Sequence, residues 1–278
     1  MNYILYDKNF ITIEDLKIDM EDRGYQFGDG IYEVIGVYNG KTFKMIEHLN
    51  RLERSAKELQ IDFPHDFRFL KESLEKLQSL NGLQNGMIYL QITRGAASRV
   101  HHFPGSDVPP VLIAYTREMN DNSFIQKKGV ECITTEDLRW LRCDIKSLNL
   151  LGNVLAKQKA VENNSFEAIL CRNEIVTEGS ATNVFIVKNG VLYTHPANNY
   201  ILNGITRSTV IEQCRKMNYK VEEKPFKTQD LLDADEAFLT GTLIDVVPVR
   251  KINDYNIGSG VPGSITIGIQ QIFNTLIN

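Results

Sequence analysis

Hydrophobic and polar positions alternate along the chain in two styles, and the change from one to the other marks its organisation. Residues 31–38 are β-branched and aromatic-rich, Asn39-Gly40 is a two-residue hairpin signal, and 41–45 returns, which predicts a hairpin. In 47–60 the apolar residues Leu49, Leu52, Ala56 and Leu59 recur at three- and four-residue steps, the stripe of an amphipathic helix. Phe67, Leu70, Leu74 and Leu77 repeat that stripe, residues 86–93 set Ile88, Leu90 and Ile92 on one face of a strand, and 111–116 predicts another strand. The chain turns polar over 118–123, where Asn120, Asp121 and Asn122 suggest a hinge. Beyond it lie strand patterns at 129–135, 167–171, 183–187, 191–194 and 237–240, a second Asn-Gly hairpin at Asn189-Gly190, a helix opened by Gly204-Ile205-Thr206 and running to about Met217, and a last helix over 263–276. The expectation is an α+β chain of two domains, 1–120 and 121–278, the second richer in β structure.

Composition narrows the class of function. The 278 residues are 42% hydrophobic and 24% charged, ordinary globular usage, and roughly 100–200 residues per domain agrees with two domains. With 31 Lys+Arg against 35 Asp+Glu the net charge is −4, so there is no basic excess to neutralise a run of phosphates, and nucleic acid is not an expected partner. Cys132, Cys143, Cys171 and Cys214 are widely spaced with no C-x-x-C pair, which fits reduced thiols and neither a zinc site nor a disulfide scaffold. No signal-peptide pattern opens the chain and no apolar run approaches the ~20 residues of a membrane span, so a cytoplasmic protein without a membrane or metal partner is expected.

Several residues offer chemistry that folding alone does not require. Lys146 sits in the apolar-flanked segment 140–152, where partial desolvation would favour the neutral, nucleophilic amine a Schiff base needs. Glu178 precedes a run of small hydrogen-bonding residues, where a fixed carboxylate could pair with a protonated ring nitrogen. Gly204-Ile205-Thr206 opens a helix whose first-turn N–H groups suit an anion, and Gly241-Thr242 after a strand offers another N–H and hydroxyl. In the loop after residue 93, Arg99 and His101 are two apart and can jointly grip a carboxylate. Each has an ordinary alternative: a lysine stem lying over apolar neighbours, a turn glutamate, an ordinary threonine at a helix N-terminus, a solvated basic loop, and for Arg51 a solvent-facing place on its helix.

Taken as an ordered set, however, 21–33 (EDRGYQFGDGIYE), 47–52 (EHLNRL), 93–95 (TRG), 146–149 (KSLN), 177–179 (TEG) with Asn183, and 204–207 (GITR) resemble the motifs of the class IV pyridoxal-phosphate aminotransferases across nearly the whole chain. Within the class the likeness is strongest to the bacterial D-amino acid enzymes, through 140–151, the Arg99-x-His101 loop and 194–199 (THPANN). The resemblance implies a two-domain fold of type IV: a smaller N-terminal α/β domain, a larger β-rich C-terminal domain carrying the Schiff-base lysine, and pyridoxal 5'-phosphate at their interface. It implies Lys146 as that lysine, Glu178 as the partner of the pyridine nitrogen, Arg51, Ile205, Thr206 and Thr242 as the phosphate cup, and Leu202 as the residue against the cofactor ring. Tyr32, Arg99 and His101 match the trap for the substrate α-carboxylate, and because that loop crosses from a partner subunit in the family, a homodimer is implied. Ala181-Thr182 stands where the family pattern has two serines, and Gly241 where it has one.

The implied reaction is ping-pong transfer of an amino group between a D-amino acid such as D-alanine and a 2-oxo acid such as 2-oxoglutarate. The alternatives within the fold are a branched-chain L-amino acid aminotransferase and an aminodeoxychorismate lyase, both disfavoured by Arg99-x-His101. Outside it, a non-catalytic protein that holds a phosphorylated ligand would not need both Lys146 and Glu178.

Overall fold

The computed structural model describes residues 3–63, 66–119 and 121–277, so that Asn120 of the expected hinge lies outside the described residues. The chain divides into two compact units, Met1–Asn120 with Ile145–Asn149, and Asp121–Asp144 with Leu150–Asn278. The sequence reading puts Lys146 in the second domain, and the structure corrects this. Tyr32 N donates to Lys146 O (3.0 Å), Leu148 N donates to Gly30 O (2.9 Å), and Ser147 bridges to Ile31, so the lysine segment is a short extra rung on the first unit.

The first unit contains β1 (Tyr3–Tyr6), β2 (Asn9–Thr12), α1 (Arg23–Phe27), β3 (Gly30–Tyr38), β4 (Lys41–Thr42), α2 (Met45–Glu58), α3 (Phe67–Leu80), β5 (Gly86–Thr93) and β6 (Val111–Glu118). Its sheet runs β2-β1-β6-β5-β3-β4 with every neighbouring pair antiparallel. Asn39 and Gly40 both take positive φ (49° and 76°), the type I′ requirement, so the predicted hairpin turn forms there. The returning strand is shorter than the pattern suggests: Lys44 takes φ 55°, which ends the extended run, and Met45 already opens α2. The helical stripes face the sheet, with Leu49 and Leu52 of α2 and Leu70, Leu74 and Leu77 of α3 fully buried against Ile31, Ile35, Ile88 and Leu90. Each such leucine contributes roughly 1.5–3 kcal/mol through burial. Asp66 caps α3 by accepting from Phe69 N at 2.6 Å.

The second unit contains α4 (Ser123–Lys128), β7 (Val130–Glu136), α5 (Leu151–Glu162), β8 (Glu167–Arg172), β9 (Ile175–Gly179), β10 (Asn183–Lys188), β11 (Val191–Thr194), α6 (Ile205–Lys216), β12 (Val221–Glu223), α7 (Thr228–Leu232), β13 (Glu236–Gly241), β14 (Asp245–Ile252), β15 (Tyr255–Asn256) and α8 (Ser264–Ile277). Its sheet is mixed, in the order β12-β11-β10-β13-β14-β7-β8-β9, with β15 beside β14 and with β7 parallel to both β14 and β8. Val130, Ile169, Val184, Ile186, Leu239 and Val247 form a core on this sheet, while Phe185 and Phe238, paired across β10 and β13, stack at 4.8 Å. The cysteines are all free. Among the described residues no helix is long and apolar enough to cross a membrane, and no His/Cys/Asp/Glu cluster could hold a metal ion.

Candidate active site

In the first unit the chemistry gathers on β3 and the lysine rung. Lys146 is half-buried; its backbone N donates to Ser55 Oγ (3.3 Å), and its Nζ lies 4.2 Å from the centre of the Tyr32 ring. Tyr32 in turn stacks on Tyr89 at 5.7 Å. Strand alternation sends the next residue, Glu33, to the opposite face, beside Ile31, Ile35 and Val37. There it is fully buried and accepts from His48 Nδ1 (2.7 Å) and from Arg51 Nε and Nη2 (2.6 and 2.9 Å). Burial by itself would raise the Glu33 carboxyl, but the Arg51 charge and the Arg51 and His48 hydrogen bonds overrule it and bring it down to about 2. Burial depresses His48 below the usual imidazole range despite that carboxylate. Arg51, which the resemblance places in a phosphate cup, thus commits two nitrogens to Glu33. Arg99 and His101 are exposed and flank one ring: the Arg99 guanidinium is 5.0 Å and the His101 ring 5.8 Å from the centre of Phe27.

In the second unit the centre is Glu178, buried on β9. Its oxygens accept from Arg139 Nη1, from Asn183 Nδ2 (2.9 Å) and from Leu202 N (3.1 Å). Burial nevertheless pushes the carboxyl up to about 7, against the pull of Arg139 and Leu202 N. Arg139 is shared: Asp137 accepts from its Nε and Nη2, each at 2.9 Å, and also from Thr177 Oγ1 at 3.0 Å. Asn183 Nδ2 also donates to Leu202 O (2.9 Å), and a side chain at Gly204 would meet Asn183 Oδ1 at 2.1 Å, so only glycine fits that turn. Gly204 is the N-cap of α6 and supplies no side-chain cap, while Thr206 in the first turn is buried. Arg207 holds the turn from behind by donating to Asn203 Oδ1 (3.0 Å), His195 O (2.8 Å) and Glu223 (2.8 Å). Thr242 is half-buried in the β13–β14 turn. The departures at 181–182 sit on a buried carboxylate, for Glu167 accepts from Ser180 Oγ, Ala181 N (3.3 Å) and Thr182 Oγ1 (3.1 Å). At Gly241 a Cβ would meet nothing closer than 3.5 Å.

Of the residues singled out in the sequence, the first unit therefore holds Tyr32, Arg51, Arg99, His101 and Lys146, and the second Glu178, Leu202, Ile205, Thr206 and Thr242. The sequence reading passed over their partners Glu33, His48, Asp137, Arg139 and Glu167. Glu33 carried a signal, since it fills a core-facing place in an otherwise apolar alternation. Arg139 carried none, lying in an irregular segment without periodicity.

Residues 30–252 match the family model for amino-transferase class IV. The chain belongs to this family. It is 47% identical over 274 residues to a D-alanine aminotransferase of Bacillus licheniformis, a match covering 99% of this chain and 96% of that protein. Among solved structures it is similar to the Escherichia coli branched-chain amino acid aminotransferase, with TM-score 0.95 and 26% identity over 100% of this chain and 95% of that one. A second branched-chain amino acid aminotransferase, solved with pyridoxamine 5'-phosphate, gives TM-score 0.93 and 26% identity over 99% of this chain and 93% of that one. This class IV aminotransferase therefore has the α+β fold of type IV that its motifs imply. Class IV aminotransferases use pyridoxal 5'-phosphate, and the donors present fit that group. The second unit offers a buried carboxylate for a protonated ring nitrogen and an uncapped helix start with a buried threonine for a phosphate, and the first offers an amine beside an aromatic ring.

Proposed function

We propose that this protein is a D-amino acid aminotransferase that moves an amino group between a D-amino acid such as D-alanine and a 2-oxo acid such as 2-oxoglutarate, with ping-pong kinetics. The observation that carries the reading is the setting of Glu178, a buried carboxylate that accepts from Arg139 Nη1, Asn183 Nδ2 and Leu202 N and whose carboxyl burial nevertheless raises to about 7, so that it suits a neighbour that brings positive charge. When bound, pyridoxal phosphate withdraws electrons from the α-carbon of the amino acid attached to it. Glu178 keeps a proton on the ring nitrogen, and Arg139, Asn183 and Leu202 N fix the direction in which Glu178 presents its oxygens. Leu202 also packs against the ring. The Lys146 amine would anchor the cofactor and, when free, would serve as the general base for the substrate α-proton and, as its conjugate acid, give that proton back. The first-turn N–H groups of α6 from Ile205, the Thr206 and Thr242 hydroxyls and Arg51 hold the phosphate. Tyr32, Arg99 and His101 hold the substrate carboxylate.

The choice of the D-enantiomer is supported by the D-alanine aminotransferase relative at 47% identity, against 26% for the branched-chain enzymes. Purified enzyme with 2-oxoglutarate should transaminate D-alanine and leave L-alanine almost untouched; faster use of L-alanine or of a branched-chain L-amino acid would overturn the assignment.

The working unit is a homodimer with shared sites. Two features support this: Arg99 and His101 are exposed in the single chain, and α5 presents Leu151, Val154 and Leu155, 72%, 57% and 56% exposed, as an apolar stripe that a second copy would cover. Mixing an Arg99→Ala subunit with a Lys146→Ala subunit should restore activity, because the heterodimer carries one site damaged twice and one intact. Absence of recovery despite proven subunit exchange would remove the shared site. We infer a cytoplasmic location, a reading that the free cysteines support.

A further inference from the structure

The loop that carries Arg99 and His101 is held by a set of buried charges with no part in the chemistry proposed above. Asp29 Oδ2 accepts from Arg23 Nε and from Arg94 Nε, both at 2.8 Å, and the three side chains are 13%, 4% and 9% exposed. Each arginine then reaches into the loop. Arg23 Nη1 donates to Val100 O at 2.7 Å, the carbonyl between Arg99 and His101, and its guanidinium lies 4.8 Å from the Phe27 ring that Arg99 and His101 flank. Arg94 anchors the other end, with its guanidinium 3.7 Å from the Phe103 ring and its Nη atoms donating to Gln60 O and Leu59 O at 2.7 Å. The backbone closes the frame, since Arg94 N donates to Asp29 O and Arg23 N to Gly95 O.

We propose that Asp29, through Arg23 and Phe27, is a positioning residue that sets the Arg99–His101 pair at the spacing needed to grip an α-carboxylate. The proposal rests on the reading of that pair as the carboxylate trap. One carboxylate oxygen between two buried guanidinium groups neutralises half their charge and fixes their forks; without it the two cations repel, and the Val100 carbonyl loses its fixed donor. Because Asp29 touches neither substrate nor cofactor in this scheme, its loss should act on substrate affinity and leave the chemical step alone.

The test uses the holoenzyme and compares Asp29→Asn, Phe27→Leu and Arg99→Ala for KM and kcat with D-alanine and 2-oxoglutarate, cofactor absorbance and melting temperature. Arg99→Ala should raise both KM values by about 10- to 100-fold. Asp29→Asn should raise both about tenfold with kcat within about twofold and cofactor absorbance unchanged, Phe27→Leu should do the same more weakly, and Asp29→Glu should recover most of the loss. If Arg99→Ala raises KM while folded Asp29→Asn and Phe27→Leu do not, the positioning role is wrong and the carboxylate trap stands. If Arg99→Ala leaves KM unchanged, the trap itself is misread and the proposal falls with it. Should Asp29→Asn fail to fold, Phe27→Leu, which removes no charge, decides.

Discussion

Glu33 in the first unit and Glu178 in the second are both buried glutamates on strands, each facing an arginine, and they titrate in opposite directions. Glu33 receives a two-nitrogen fork from Arg51 and a third bond from His48, enough to offset its desolvation and hold it at about 2. Glu178 receives one nitrogen of Arg139, whose others serve Asp137, and Asp137 adds negative charge nearby; burial wins and the carboxyl rises to about 7. The difference lies in how much of the partner arginine each carboxylate owns. A carboxylate as fully compensated as Glu33 braces the side chains that bind it, whereas an undercompensated one such as Glu178 has chemistry left to offer a ligand.

The largest expected effect lies outside the pair and sets the scale. Lys146→Ala removes the proposed proton carrier yet keeps the backbone bonds of its rung, so single-turnover transamination should fall by about 10⁴-fold with an unchanged circular dichroism spectrum. Within the pair, Glu178→Gln should slow the half-reaction with D-alanine by about 10²–10³-fold while the protein stays folded. Glu33→Gln should act mainly on stability: it removes the buried negative charge that faces Arg51 and His48, costing about 3–5 kcal/mol in urea denaturation. Should Glu33→Gln lower the rate and spare stability, the contrast drawn here would collapse.

The pH dependence of cofactor-free protein sharpens the contrast further. Glu33 binds its proton more weakly folded than unfolded, so its contribution is present above about 4.5 and is lost as the pH falls toward 2. Glu178 binds its proton more tightly folded, so its contribution is complete below about 4.5 and is lost as the pH rises through 7. Between pH 5 and 8 the wild type should therefore lose stability relative to Glu178→Gln, and parallel curves would show that the carboxyl is not raised. The smallest effect is expected from Gly241→Ser: a Cβ has room there, and one added hydrogen bond of about 0.5–1.5 kcal/mol should tighten pyridoxal phosphate up to about tenfold by equilibrium dialysis.

How much of this was legible in the sequence depended on whether the signal was local. The stripe of α3, the alternation of β5 and both Asn-Gly turns are properties of neighbouring residues, and they appear in the structure where the pattern puts them. Strand β14 was not legible, because Pro248 lies in its middle and a proline argues against a central strand. The structure accommodates it since pairing with β7 begins only at Val249, one residue later. The rung at Lys146 was hidden for a related reason: its partners Gly30, Ile31 and Tyr32 are distant in the chain, and nothing within 145–149 announces them. Site residues with their own chemistry, such as Lys146 and Glu178, could be named from their motifs. Asp137 and Arg139, which tune Glu178, act only through contacts that folding creates.

The place of β7 in the second sheet carries a consequence for the order in which the enzyme comes into being. Every strand of the first sheet has been synthesised once Glu118 is made, so that unit can begin to assemble while the second is still being made, lacking only its lysine rung. In the second, β7 is held between β8, which follows it closely, and β14, whose Val249 pairs with Val130 almost at the end of synthesis. Until then β7 is an open edge of unpaired N–H and C=O groups flanked by apolar side chains, the kind of surface that recruits another nascent chain. The long wait between β7 and β14, rather than any weakness of the finished core, is where growth at high temperature or rapid overexpression should exact losses to aggregation.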